Sequence, residues 1–328
     1  MKRIKIYLLM LLAALTVGSC GSDNDGPGGG DNGETGGGGG IVNTNTNANA
    51  VTPGMPDEIT RLEFPKVKGG TSKVIVHETS QYGVNFCTEF DTSKKSQRWS
   101  CYAVYKSNNL KGWNRQNWRN GTSWDGKTWK SDPFQIDPQI PANMQPGVNE
   151  FSSSSMLSEG ITYFQRGHIV ASEDRICSKD VNGQTFYMTN MQPQIEEFNN
   201  GIWKTMEEKI RSLTQTAYDT MYVCKGGTID KSEQILGYTK NKFIVPKYFF
   251  AAVMIKNKSG HKAIGFWFEH KKDYPSTEKL SAHIVNIAKL EELTGIDFFC
   301  NLPDDEERLI ENVNITPSYL LKVWQTTN

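Results

Sequence analysis

An α+β domain is the fold this sequence predicts, and three observations predict it. Short segments rich in aromatic and β-branched residues crowd the first half of the chain, helical periodicity enters only later, and the two kinds of segment do not alternate in a βαβ rhythm. In order, the strand-like segments are residues 73–77, 82–90, 99–106, 165–171, 185–190, 220–224, 243–255 and 263–270. Helices are expected over 195–213, over 281–293 with Gly295 as the stop, and over 304–311. No internal repeat is present.

The chain has 328 residues, enough to bury a sizeable core, and carries 36 basic and 36 acidic side chains. With no net charge, any attraction for a polyanion has to be local. The first residues read as an export signal: Lys2, Arg3 and Lys5 precede an apolar run from Ile6 to Val17 that is too short for a comfortable membrane span. Val17-Gly18-Ser19-Cys20 follows and resembles a bacterial lipobox, in which Cys20 takes the lipid after cleavage. The expected organisation is therefore a signal peptide over 1–19, a lipidated Cys20 with a Gly/Asn-rich tether over 20–56, and one folded domain over 57–328. The anchored product would be exported, facing the periplasm or the cell surface, with the outer membrane as the expected site. Besides Cys20 there are Cys87, Cys101, Cys177, Cys224 and Cys300, an odd number; Cys87 and Cys101 fall on adjacent strand segments and could face one another. No spacing among them suggests a zinc site.

Three linked blocks stand out within about fifty residues. The first is Gln165-Arg166-Gly167-His168, the second Thr189-Asn190-Met191-Gln192-Pro193-Gln194, and the third Asn199-Asn200-Gly201-Ile202-Trp203 with Glu207 and Arg211 beyond. On a continuous helix Asn199 and Glu207 share one broad face, about 80° apart, while Phe198, Ile202, Met206 and Ile210 form a core stripe. Taken singly, His168 reads as a structural histidine, Asn199 as a helix cap and Glu207 as a solvated charge. Those readings leave the joint spacing unexplained. His77, His261, His270 and His283 match no motif and are expected to be structural or exposed.

Together the blocks resemble the signature of the DNA/RNA non-specific endonucleases of the ββα-metal superfamily: DRGH, then TNxxPQ, then N-x-G-x-W-x-x-x-E. The resemblance extends over residues 73–311, through Trp99 and Tyr102, Val245-Pro246-Lys247-Tyr248, Leu293-Thr294-Gly295-Ile296-Asp297 and Leu302-Pro303-Asp304. It implies a central antiparallel sheet flanked by helices with a ββα-metal active site. It further implies hydrolysis of DNA and RNA, single- or double-stranded, with one Mg²⁺ or Mn²⁺ ion, leaving 5′-phosphate ends.

The residue types suit that chemistry. His168 can take a proton from water near neutral pH. Asn199 offers a hard amide oxygen to an ion that keeps most of its waters. Glu207 can orient those waters, and Arg166 and Arg211 can meet phosphate charge. Asn190 is expected to set the loop that holds the site.

Two departures are visible. Gln165 stands where the signature has Asp, which would weaken Arg166 if that Asp orients it. Lys127-Thr128-Trp129-Lys130-Ser131-Asp132-Pro133 resembles R-x-W-K-x-D-P, with Lys127 in place of a phosphate-contacting Arg. The stretch from Lys111 to Arg119 interleaves cations with Trp113 and Trp118, a composition that suits strand binding or, equally, buried tryptophans among surface arginines. Two rival functions share most of these features: a surface lipoprotein that binds nucleic acid without cutting it, and a phosphodiesterase for smaller esters.

Cys20→Ser is expected to abolish fatty-acid incorporation, because the acyl acceptor is that thiol. Metabolic labelling checks it, and label retained by the variant would remove the anchor.

Overall fold

A computed structural model describes residues 44–156, 159–213 and 218–325. The expected signal peptide, Cys20 and most of the tether lie outside the described residues.

The domain is built on one seven-stranded antiparallel sheet. Its members are β1 (Ser72–Thr79), β2 (Gly83–Asp91), β3 (Ser96–Tyr105), β8 (Thr220–Gly227), β11 (Tyr248–Asn257), β12 (Gly260–Glu269) and β13 (Ile284–Val285), hydrogen-bonded in that order. Three two-stranded ribbons sit around it: β4 (Thr122–Trp124) with β5 (Lys127–Trp129), β6 (Gln165–His168) with β7 (Met191–Gln194), and β9 (Ile235–Tyr238) with β10 (Ile244–Pro246). The helices are α1 (Lys179–Gln184), α2 (Glu196–Phe198), α3 (Lys204–Ser212), α4 (Ile287–Thr294), α5 (Asp304–Glu311) and α6 (Pro317–Trp324).

Both faces of the sheet are covered, and β11 shows why its sequence is apolar throughout. Phe249, Ala251, Val253 and Ile255 point to one core, with Met206 and Ile210 of α3 and Val323 and Trp324 of α6. Phe250, Ala252 and Met254 point to the other, with Ile287 and Leu290 of α4 and Ile310 of α5. Each large side chain so buried contributes roughly 1.5–3 kcal/mol, which holds α3, and the site it carries, against the sheet. Cys87 is register-paired with Cys101, and Cys101 with Cys224, so these cysteines do face one another across the ladder. They are buried free thiols whose burial raises their pKa well above the ordinary range, leaving them unreactive core residues.

Several local expectations change. Residues 185–190 are not a strand: a 3₁₀ turn over Met188–Asn190 precedes β7, because the Asn190 side chain bonds the chain back on itself instead of extending it. The region 281–293 divides into a 3₁₀ turn over Leu280–His283, β13 and α4, since β13 pairs with β12 and Asn286 then caps α4 by accepting from Lys289 N. Near the C-terminus, where no element was expected, the chain forms α6, capped by Thr316, whose Trp324 ring packs 4.9 Å from that of Phe266.

Residues 44–56, expected to be the end of a tether, are bonded to the domain. Asn45 Nδ2 donates to Leu302 O at 2.7 Å, and Thr46 N to Asp304 Oδ1 at 2.8 Å. Asn49 is buried, donating to Ile59 O and Pro65 O and accepting from Val67 N at 3.0 Å. Side-chain hydrogen bonds hold this segment, and hydrophobic periodicity does not register them.

Asn49→Ala leaves Pro65 O and Val67 N without partners in the interior, while Ile59 O keeps its bond from Asn301 Nδ2. It is expected to lower stability by about 2–3 kcal/mol, read as a lower urea midpoint at unchanged slope.

Candidate active site

The β6–β7 ribbon carries the first two blocks in antiparallel register, Gln165 opposite Gln194 and His168 opposite Met191. Gly167 is demanded by this pairing: a Cβ there would lie 2.2 Å from the side-chain carboxamide of Gln194, which is completely buried. Immediately after His168 the chain is clamped by Asn190. Its Oδ1 accepts from Val170 N at 2.9 Å, and its Nδ2 donates to Val170 O and Thr185 O. Asn190 is completely buried and does not line the cavity described below, so it shapes the loop as its position suggested and stays away from reacting groups.

The third block leaves the regular helix. A π turn over Asn199–Trp203, with Gly201 at φ −100° and ψ −114°, joins α2 to α3. The continuous helix expected over 195–213 is therefore interrupted where the site needs it, a common use of π turns. Its start is fixed by His270, whose Nε2 accepts from Ile195 N at 2.7 Å while Nδ1 donates to Pro246 O. Burial pushes that imidazole down to about 3, so it stays neutral and able to accept. Asn199 does not cap the helix; its Nδ2 donates to Gln165 Oε1 at 2.5 Å.

These elements converge on a cavity of about 610 Å³ lined by Arg166, His168, Asn199, Glu207 and Arg211 together with Arg115. Five of the residues singled out in the sequence thus meet in one place. Lys127 does not join them: it is exposed on β5, over the ring of Trp129 and 3.4 Å from Gln135 Oε1. The cationic side chains of the lining are Arg115, Arg166, Lys204 and Arg211, against the carboxylates Glu173 and Glu207. A chain of zero net charge thereby presents a locally positive basin.

His168 sits between two phenylalanines, 5.6 Å from Phe134 and 5.0 Å from Phe186 by ring centroids. Each phenylalanine is faced in turn by a guanidinium, Arg166 at 3.7 Å from Phe134 and Arg115 at 5.1 Å from Phe186. Burial first, then Arg115, Lys225 and Arg166, depress the His168 pKa well below the usual imidazole value, with Asp174 opposing. Its Nε2 is covered and has no partner among the described residues. The imidazole is thus neutral at physiological pH, with a lone pair to offer.

Arg166 donates to Val148 O at 3.1 Å and holds no ion pair among the described residues, so its charge is free for an anion. Gln165 therefore orients Asn199 and not Arg166, and a neutral amide serves that purpose as an acceptor. Arg211 and Glu207 are braced from below by residues the sequence reading missed. Lys225, with no exposure to water, donates to Glu207 Oε1 at 3.1 Å and to Asp174 Oδ2 at 3.2 Å, and Arg211 Nη1 donates to Asp174 Oδ1 at 2.7 Å. Tyr102 Oη adds a bond to Asp174 Oδ2 at 2.6 Å. Burial would raise the Asp174 carboxyl, but Lys225 and Arg211 outweigh it and hold the group below the ordinary range; at Glu207 burial prevails and raises it. A charged residue inside an otherwise apolar strand was the available signal for Lys225. Arg115, held by Asp132 at 3.1 and 2.6 Å and by Ser172 Oγ at 3.2 Å, carried none beyond its basic neighbourhood.

The donor set fits a hard divalent cation. With Nδ2 committed to Gln165, Asn199 keeps Oδ1 for an ion; Glu207 keeps Oε2; and no cysteine lines the cavity. Among the described residues, the only three-residue set of closely spaced His, Cys, Asp or Glu is Glu291, Asp297 and Glu311, which lies elsewhere, so an ion at Asn199 would keep most of its water ligands.

A neutral imidazole, an amide oxygen and arginines around a cationic basin, on a strand–strand–helix frame, make a site suited to phosphodiester hydrolysis. The family model for DNA/RNA non-specific endonucleases matches residues 70–305, and the chain belongs to that family. It is 30% identical to a nuclease of Nostoc sp. over 220 residues, 64% of this chain and 75% of the relative. Bovine mitochondrial endonuclease G is 28% identical over 149 residues, 42% of this chain and about half (49%) of that protein's length. A crystal structure of EndoG in complex with EndoGI superposes with a TM-score of 0.54 at 18% identity, covering 71% of this chain and 89% of that one. The antiparallel sheet flanked by helices and the nuclease class inferred from the blocks are thereby borne out.

The depressed His168 pKa sets a sign for the pH dependence. The base form should persist through neutrality and be lost only well below pH 6.5, so the acid limb of kcat/KM is expected on that side. Arg115→Gln removes a nearby positive charge and should move that limb upward in a pH–rate series.

Proposed function

We propose that this protein is an exported, lipid-anchored endonuclease that cleaves DNA and RNA without regard to sugar or sequence, with one divalent ion, Mg²⁺ or Mn²⁺, at Asn199. The observation that carries the reading is the neutral, unpartnered His168 imidazole in the same cationic cavity as the oriented Asn199 amide. The export arm is supported by the basic and apolar residues before Cys20. No helix among the described residues is long and apolar enough to cross a membrane.

His168 takes the proton of the attacking water, its neutral state secured by burial and by the surrounding cations. Arg166, bearing no carboxylate partner, holds a non-bridging phosphate oxygen, and Arg211 adds charge from the Asp174 brace. Glu207 accepts hydrogen bonds from water in the cavity. The ion, when bound, supplies charge stabilisation at the phosphate and at the departing 3′ oxygen, giving 5′-phosphate products. Nothing in this set reads a base edge at the point of cleavage, which suits a non-specific enzyme.

The test is digestion of plasmid and of RNA by the soluble domain, with and without chelator. Wild type should cut both, and chelator should abolish cutting. His168→Ala should lose at least a hundredfold in rate at unchanged thermal midpoint, whereas Asn199→Ala should regain part of its rate at far higher Mg²⁺. A folded His168→Ala enzyme with wild-type turnover would overturn the assignment.

A further inference from the structure

A second cavity, of about 780 Å³, lies beside the first and shares Glu173 and Arg211 with it. One wall is made by residues 108–114 and Asn117, among them Trp113 and Asn114. Arg115, between those residues, lines the catalytic cavity instead, so one short stretch of chain faces both spaces.

That stretch is rigidly placed. Trp113 N donates to Ile176 O at 2.8 Å, and Gly112 is required for the approach, since a Cβ there would stand 2.2 Å from Cys177 O. The Trp113 ring is backed by Trp118 at 5.1 Å, which is itself buried and pinned by its indole N–H to Asn182 Oδ1 at 2.8 Å. Asn114 accepts from Gln116 N and caps the turn between them. The half-buried Trp113 keeps a covered indole Nε1 without a partner among the described residues.

An indole on a fixed backing, beside side-chain amides, suits a flat, polar-edged ring. The lining sets Glu173, Asp174 and Glu208 against Lys111 and Arg211, a balance that offers no excess positive charge to a second phosphate and leaves a neutral ring undisturbed. Arg211 at the shared boundary ties the space to the reacting phosphate.

Resting on the nuclease reading, we propose that this cavity is a base-binding subsite, in which Trp113 stacks the unpaired base of the nucleotide flanking the cleaved phosphodiester. Because the base must leave its stack to enter, the enzyme handles single strands and frayed or looped nucleotides better than continuous duplex. Stacking tolerates every base, so the subsite adds affinity without sequence specificity.

The experiment compares a single-stranded oligonucleotide with a strand of equal length carrying abasic sites, so that backbone charge is matched. Wild-type enzyme is expected to show a kcat/KM about tenfold higher on the base-bearing strand. Trp113→Ala should collapse that ratio towards one, and Trp113→Phe, which keeps a stacking face, should retain most of it. A wild-type ratio preserved in Trp113→Ala overturns the subsite, as does an equal loss on both strands in Trp113→Ala and Trp113→Phe alike, which would mark Trp113 as structural. A wild-type enzyme that cuts both strands equally also overturns it and leaves the nuclease reading intact. Cleavage of neither strand overturns the nuclease reading and the subsite with it.

Discussion

The site depends on a lysine ammonium from which water is excluded. Lys225 sits on β8, near the middle of the sheet, beneath α3 and against the rings of Tyr102 and Trp203. An unpaired charge there would be costly, and the fold answers with two carboxylates, Asp174 and Glu207. Asp174 then takes Arg211 as well, so two cations and two anions close a neutral cluster. This cluster fixes how α3 lies over the sheet, because Glu207 and Arg211 must reach partners rooted in the ladder and in the loop after His168. Apolar contacts alone would allow α3 to slide; a desolvated charge pair does not.

Upon that base the side chains proposed to act in catalysis are held by different means. His168 is walled by aromatic rings, and that burial together with the nearby cations lowers its pKa. Asn199 is set by one hydrogen bond from a break in the helix, which commits its amide nitrogen and not its carbonyl oxygen. Arg166 keeps its charge unspent by bonding a main-chain carbonyl and lying over Phe134. The Gln165 substitution fits this division of labour: the position needs an acceptor for the Asn199 amide, which a carboxamide oxygen supplies.

Net neutrality and nucleic-acid chemistry are compatible because the charge is sorted, not absent. Acidic side chains gather where Asn47 Nδ2 donates to Asp297 and Glu307, and there burial and mutual repulsion push Glu291 up to about 8 and Glu307 to about 7. The basin around His168 collects arginines. The polyanion therefore meets a positive site on an otherwise balanced molecule.

How much of this was legible in the chain differs by residue. Blocks that are local in sequence, Arg166-Gly167-His168 and Asn199 to Arg211, announced the nuclease site, because catalysis and strand or helix geometry both impose short, fixed spacings. The aromatic strands declared the sheet for the same reason: burial on a pleat leaves a period of two, or an unbroken apolar run, in the sequence itself. What only the tertiary structure decided are the partnerships across long separations. Lys225 with Asp174, Arg115 with Asp132, Gln165 with Asn199, and Asn45 with Leu302 leave no periodic trace. A single buried charge or amide specifies that it needs a partner but not which one, and the identity of that partner is settled by packing alone.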